Sequence, residues 1–273
     1  MKATDSYILR IEGLAKTYVQ LRRFTRERYK VRAFENVNLS IPRGGTLAIV
    51  GESGAGKSSL ARCLAMLEKP DEGEIRYEGS NIVRASRKDR FSLHRDIQYV
   101  FQEAMTAVNP RFNAVEVITE PLLLQRMGTK AEQRARALEL MRQVGLSPDD
   151  AEKPALEFSG GQRQRLATAR ALAVQPKVLI LDEALSNLDL PNQELILRIL
   201  DDLQRRHALT YVHISHDLRA VSQFADEVAV MREGKIVEHK RTADLFAHPE
   251  HAYTRELLEA MPSVESILLQ RSA

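Results

Sequence analysis

Thr46-Leu47-Ala48-Ile49-Val50-Gly51-Glu52-Ser53-Gly54-Ala55-Gly56-Lys57-Ser58-Ser59 is the stretch that decides how this chain folds. Residues 46–50 form a nearly unbroken apolar run, as expected of a strand buried on both faces. Gly51 to Ser58 match G-x-x-x-x-G-K-[ST], and a helical pattern follows, which is the context a phosphate-binding loop requires. Glycine lets backbone N–H groups turn inward and approach phosphate oxygens closely. The helix opening near Lys57 adds its positive end, contributing at most ~2 kcal/mol. A lysine charge at ~4 Å contributes about 4 kcal/mol at moderate dielectric. Lys57 is therefore expected to dominate affinity for β- and γ-phosphates, with Ser58 ligating Mg²⁺.

Outward from this stretch, strands alternate with helical patterns. Residues 7–11, 37–41 and 73–77 read as strands, with a turn at Pro42-Arg43-Gly44-Gly45. Residues 131–144 place Leu138, Met141 and Val144 on one face of a helix, which Glu152-Lys153-Pro154 is expected to break. Residues 161–174 read as a second helix, 177–181 as a buried strand, 195–203 as a helix and 210–214 as a strand. Residues 227–231 and 236–238 flank Glu233-Gly234, a predicted hairpin, and short helical patterns close the chain. This alternation argues an α/β fold with a mainly parallel sheet and a helical insertion in its middle.

The 273 residues allow one large domain or two. With 44% hydrophobic and 28% charged residues, the chain has the composition of a folded globular protein, which excludes a disordered one. A net charge of +3 permits a nucleotide or an acidic partner without indicating nucleic-acid binding. Cys63 is the lone cysteine, so no internal disulfide forms and a reducing compartment fits. No run approaches ~20 apolar residues, and the start of the chain lacks a secretory apolar core. An intracellular protein is expected.

Two further stretches carry chemistry. Val178-Leu179-Ile180-Leu181-Asp182-Glu183 delivers a pair of carboxylates at the end of a strand. Neighbours on a strand point to opposite faces, so Asp182 is expected to face Mg²⁺ while Glu183 orients or deprotonates a water. Phe158-Ser159-Gly160-Gly161-Gln162 opens a helix with a second anion-binding pattern. One nucleotide needs a single phosphate loop, so a second one suggests a site completed on another copy.

These residues resemble the ATP-binding subunits of ABC transporters, in order and over nearly the whole chain. Phe158 to Gln162 corresponds to that family's signature motif, with Phe in the place of the usual Leu. The resemblance implies a P-loop NTPase fold in one ABC ATPase domain over residues 1–273. Its parts would be a mainly parallel core sheet, an N-terminal antiparallel β subdomain, an α-helical subdomain inserted at about 103–160, and a short helical tail at about 240–273. It implies ATP and Mg²⁺ as cofactors. Gly51, Glu52, Ser53, Gly54, Ala55, Gly56, Lys57, Ser58 and Ser59 would bind the phosphates, with Tyr18 stacking on adenine. Ser58, Gln102 and Asp182 would hold Mg²⁺, Glu183 would activate water, and His216 would contact the γ-phosphate. Ser186, Asn187, Leu188 and Asp189 match the loop that couples paired ATP sites.

The implied partners are a second ABC ATPase, identical or related, two integral-membrane permeases bound through the segment from Gln102 to Arg111, and indirectly an extracellular solute-binding protein. Nucleic acid is not an expected partner. The implied location is peripheral, on the cytoplasmic face of the membrane. Phe101-Gln102-Glu103 with Val108-Asn109-Pro110-Arg111 resembles the peptide and nickel importer branch, as does His248-Pro249-Glu250-His251-Ala252-Tyr253-Thr254-Arg255. Asp182-Glu183-Ala184-Leu185-Ser186-Asn187-Leu188-Asp189 is closer to nickel-import subunits. The alternative reading is an ABC-type ATP switch in a soluble, non-transport complex.

Other candidates read as ordinary. Cys63 is expected to pack, and His213, alternating with Val212 and Ile214, to face outward. His94, His207 and His239 lack metal-ligand spacing. Arg22, Arg23, Arg26, Arg28, Lys30 and Arg32 face a single Glu27 and read as a solvated hairpin; contact with a nucleotide, anionic lipid or an acidic partner is the functional alternative. Phe24 and Tyr29 are the other aromatic groups that could stack on adenine.

Overall fold

The computed structural model describes residues 6–21, 28–102, 108–186 and 188–260. The chain runs through β1 (Tyr7–Leu21), β2 (Arg28–Pro42), β3 (Thr46–Val50), α1 (Lys57–Leu64), β4 (Glu72–Tyr77), β5 (Ser80–Asn81) and α2 (Arg87–Asp96). β6 (Ile97–Val100), α3 (Ala114–Leu124), α4 (Lys130–Gln143), α5 (Gly160–Leu172) and β7 (Val178–Asp182) follow. It ends with α6 (Leu190–His207), β8 (Thr210–Ser215), α7 (Leu218–Phe224), β9 (Glu227–Arg232), β10 (Lys235–Arg241), α8 (Thr242–Ala247) and α9 (Ala252–Glu259). Contacts divide it into two units, Met1–Arg90 with Val212–Ala273, and Phe91–Tyr211.

The first unit holds an antiparallel sheet in the order β2-β1-β4-β5. Ile11 lies opposite Leu39 on one side and Ile75 on the other, which places apolar side chains of all three strands on one face. In the same unit β3 runs parallel to β9, with Ala48 opposite Val228, and β9 turns back antiparallel into β10. Every residue of β3 is buried. Val50 and Val230 pack with Val221 of α7, Leu245 of α8 and Leu258 of α9. The Asp226 carboxylate accepts the Thr46 N–H at 2.7 Å and so fixes where β3 begins.

In the second unit β6 runs parallel to β7, from Ile97 opposite Val178 to Val100 opposite Leu181. The helices here announce their starts locally. Asn113 with Glu116, Thr129 with Glu132 and Ser159 with Gln162 form reciprocal capping boxes on α3, α4 and α5. Each box satisfies otherwise orphaned N–H groups and is worth roughly 1 kcal/mol. Arg170 of α5 pairs with Glu120 of α3 at 2.8 Å.

The structure departs from the sequence reading at several points. α4 spans Lys130–Gln143, within a residue of the expected 131–144, but what ends it is Gly145, with a left-handed φ of 69°, and not Glu152-Lys153-Pro154. α6 begins before residue 195, since Asp189 caps it by accepting the Asn192 N–H at 3.2 Å and a proline sits in its first turn. α2, β6, α3 and α7 carried no clear periodic signal; α3 even contains Pro121. His213 does not face outward. Every residue of β8 is buried, His213 is 1% exposed, and among the described residues neither ring nitrogen has a hydrogen-bond partner. Alternation marks inside and outside only on a strand with one wet face. Burial holds the His213 pKa down to about 4. Cys63 is buried as expected, and burial pushes its thiol up to about 12.

Candidate functional site

The phosphate loop lies in the first unit and is shaped by what surrounds it. Gly51 has φ 148°, and a Cβ there would stand 2.1 Å from the Met231 carbonyl oxygen. Gly56 has φ 102°, and its Cβ would stand 2.2 Å from the Ala33 carbonyl oxygen. Both positions therefore demand glycine for conformation and for space. The Gly234 N–H, in the β9–β10 turn, donates to the Ala55 carbonyl at 3.0 Å. The Tyr253 hydroxyl of α9 accepts the Glu52 N–H at 2.9 Å.

α1 starts at Lys57 behind a glycine cap, and among the described residues no side chain caps it, as suits a helix start that binds an anion. Glu52, Ser53 and Gly54 are exposed, while Ala55 is buried and Ser58 and Ser59 are half-buried. Ser59 accepts from Arg62 at 3.3 Å. Lys57 is 4% exposed, and its ammonium donates to the Gly51 and Glu52 carbonyls, each at 2.8 Å. The loop thus presents a lysine charge at the mouth of an N-terminal dipole.

Also in this unit, Tyr18 lies on β1 opposite Val31, half-buried. Its hydroxyl donates to Glu68, which Arg62 holds from the other side at 2.8 Å, and the Lys16 ammonium lies 5.5 Å from its ring. Tyr29 is largely exposed on β2, and Phe24 falls outside the described residues. Of the basic segment, Arg28, Lys30 and Arg32 lie on β2, and Arg22, Arg23 and Arg26 are outside the described residues. His216 is exposed between β8 and α7, next to Asp217, which caps α7 by accepting the Arg219 N–H at 2.9 Å.

The second unit carries the remaining residues. Asp182 ends β7 and is buried, and its Oδ2 accepts a hydrogen bond from the Tyr99 hydroxyl of β6. Sequence reasoning missed Tyr99. The one signal was a phenol in a short apolar strand that leads into Phe101-Gln102. The Tyr99 and Phe101 rings meet at a tilt of 56°, 4.6 Å between centroids, and Gln102 beyond them is exposed.

Glu183 does not follow strand alternation. It lies past the end of β7 with φ 47°, so a left-handed turn, not the pleat, aims its carboxylate. Ser186 reinforces that turn, its hydroxyl donating to the Glu183 carbonyl at 2.8 Å. Leu185 is buried, and Gln193 donates to its carbonyl at 3.1 Å. Ser186 and Leu188 flank Asn187, which lies outside the described residues, and Asp189 passes directly into the α6 cap.

Phe158 is 2% exposed, with the Lys153 ammonium 4.9 Å from its ring centre. This explains an aromatic group in the first place of the motif. The Ser159 N–H donates to the Gln162 side chain at 2.9 Å, and the Ser159 hydroxyl accepts the Gln162 N–H at 3.3 Å. A Cβ on Gly161 would meet the Asn192 side-chain oxygen at 2.9 Å, whereas one on Gly160 would meet nothing within 4 Å among the described residues.

A family model described as ABC transporter matches residues 34–186, more than half of the chain. The chain belongs to the ABC transporter ATPase family. As a member it binds ATP and hydrolyses it. This ABC ATPase is 40% identical over 95% of its length to a putative peptide import ATP-binding protein of Brucella ovis, covering 80% of that protein. It is 41% identical over 94% of its length to the di/tripeptide transport ATP-binding protein DppF of Pseudomonas aeruginosa, again covering 80% of it. Among solved structures, an ATP-binding cassette in a dimeric post-hydrolysis state with ADP and Pi matches it with a TM-score of 0.77 at 29% identity. That match covers 86% of this ABC ATPase and 98% of the solved chain.

The donors expected for Mg²⁺ are a Ser58 hydroxyl, a Gln102 amide oxygen and the Asp182 carboxylate, all hard oxygens that suit this ion. Among the described residues no group of three or more His, Cys, Asp or Glu could hold a metal by itself. The donor set therefore fits an ion that arrives with phosphate oxygens and keeps several waters.

Proposed function

We propose that this chain is the ATPase subunit that energises a membrane importer of di- and oligopeptides. Two observations support the reading. One is a phosphate loop whose glycines, buried lysine and uncapped helix start together form an anion cradle. The other is 40–41% identity over nearly the whole chain to ATPases named for peptide import. Those relatives favour peptides over nickel as the solute.

In this reading Lys57 and the first amides of α1 bind the β- and γ-phosphates, and Tyr18 stacks on adenine. Ser58, Gln102 and Asp182 hold Mg²⁺, which neutralises charge on the phosphate oxygens. Tyr99 fixes one oxygen of Asp182. Glu183 accepts a proton from the attacking water as ATP and water become ADP and phosphate, and His216 steadies the γ-phosphate. Ser159, Gly160 and Gly161 serve the nucleotide of a second ATPase subunit, and Ser186 to Asp189 couple the paired sites.

Residues 1–273 act as one ABC ATPase domain. The insertion at about 103–160 meets two permeases, and α9, in the tail from about 240, reaches the phosphate loop through Tyr253. Among the described residues no helix is long and apolar enough to cross a membrane. The subunit works peripherally, on the cytoplasmic face, with an extracellular solute-binding protein feeding the permeases.

The test is affinity purification of Glu183→Gln from native membranes with ATP. Losing a positioned base costs ~10²–10⁴-fold in turnover, so the variant holds ATP and its complex. Recovery of two polytopic permeases with an ATPase sibling or second copy is the expected result, followed by peptide binding to the associated binding protein. Recovery of soluble partners alone overturns the importer reading in favour of an ATP switch.

A further inference from the structure

The contact between Tyr253 and Glu52 joins residues 201 positions apart, and catalysis as described above makes no use of it. It ties the C-terminal helix α9 to the entry of the phosphate loop. The Glu52 side chain is exposed, but its backbone is engaged on both sides. Its N–H donates to the Tyr253 hydroxyl at 2.9 Å, and the carbonyl of that same peptide, that of Gly51, accepts the Lys57 ammonium at 2.8 Å, as does the Glu52 carbonyl at 2.8 Å. Whatever fixes this peptide therefore fixes one of the groups that hold the phosphate-binding lysine.

Tyr253 is itself held on every side. It is 1% exposed and packs in the cluster that contains Val50, Val230 and Leu258. The Arg232 guanidinium lies 4.7 Å from its ring centre, and its own N–H donates to the His251 ring at 3.1 Å. One step further back, the Glu238 carboxylate of β10 accepts the Glu250 N–H at 2.9 Å and the His251 N–H at 3.0 Å. The Lys240 ammonium joins that carboxylate at 3.3 Å. Glu238 thereby pins the chain where α9 begins, and the phenol arrives at the loop on a rigid support.

We propose that Tyr253 is a positioning residue for ATP binding: its hydroxyl takes the Glu52 N–H out of the phosphate cradle and orients the Gly51–Glu52 peptide so that its carbonyl, that of Gly51, holds Lys57 in register. The role belongs to the oxygen and not to the ring. If the ring alone mattered, phenylalanine would fill the same space in the same core.

The experiment uses the full chain, wild type and Tyr253→Phe. Displacement of a fluorescent ATP analogue by ATP gives Kd, and steady-state hydrolysis gives KM and kcat. Losing one backbone-to-phenol bond is expected to raise Kd and KM roughly three- to tenfold with kcat within about twofold, the pattern of lost uniform binding. An unchanged Kd, with or without a lower melting midpoint, overturns the proposal and leaves Tyr253 a core residue. Amide exchange at Glu52 in nucleotide-free wild type decides independently of how the variant folds: protection is expected, and exchange at the rate of an open peptide overturns the assignment. A wild-type chain that binds no ATP would instead count against the cassette's activity, with the Glu52 exchange rate still judging the contact.

Discussion

Two helix starts in this molecule carry glycine-rich anion patterns, yet they are built by opposite means. The start of α5 closes on itself, Ser159 and Gln162 exchanging side-chain bonds within a single turn. The start of α1 has no side-chain cap, and its loop is shaped from outside by the Met231 and Ala33 carbonyls, the Gly234 amide and the Tyr253 hydroxyl. A self-capped start satisfies two of its backbone amides with its own side-chain oxygens and is preformed. An uncapped one keeps its amides for a ligand and needs the surrounding fold to hold them in place. The contrast fits the roles proposed above, a loop that binds its own nucleotide and a motif presented to a second subunit.

Substitutions at each start test the contrast. Gly56→Ala should do the most damage. A Cβ 2.2 Å from a backbone oxygen at φ 102° costs more than ~3 kcal/mol, and ATP affinity should fall beyond ~100-fold or folding should fail. Isothermal titration and a melting curve check this. Retained affinity would mean that the loop is not shaped from outside.

Acid should loosen the first start before the second. His213, in the unit that carries α1, is kept neutral with a pKa near 4, while in the unfolded chain it titrates near 6.5. The unfolded state therefore binds the extra proton between these values. Stability is intact above pH 6.5 and falls as pH drops towards 4, by on the order of 2 kcal/mol at pH 5. Hydrogen exchange should rise at residues 51–56 before residues 159–162, and His213→Leu should flatten the dependence. Equal acid sensitivity at both starts would sink this account.

Ser159→Ala should cost about 1 kcal/mol of stability through the lost cap, measured by denaturant titration. Gly160→Ala should do least to the single chain, within about 0.5 kcal/mol, since its Cβ meets no described neighbour. It should nonetheless depress ATP hydrolysis in the assembled pair. A Gly160→Ala pair with full hydrolysis would show that α5 does not serve a second subunit's nucleotide.

The α5 start was readable because everything it needs lies within five consecutive residues, Phe158 to Gln162. The same holds for β3, whose five residues are buried as the apolar run predicts, and for the β9–β10 hairpin about Glu233-Gly234. Legibility failed where the deciding partner is distant. His213 was assigned to the surface because alternation is uninformative on a strand covered on both faces. Tyr99 gave little sign that it would reach Asp182, and strand alternation could not foresee that Glu183 leaves the pleat through a left-handed turn.

From the sequence alone come most of the element types, α2, β6, α3 and α7 excepted, together with the spacing of Gly51 to Ser58, the carboxylates at the end of β7 and the capped start of α5. All of these follow from interactions among residues a few positions apart, where backbone geometry leaves few choices. Only the tertiary structure decided that Gly51 and Gly56 are required by the backbone of β9 and β2, that His213 is buried, and that a phenol from α9 grips the Glu52 amide. Those outcomes depend on which surfaces close over which, and packing between elements apart in the chain is not encoded in any local pattern.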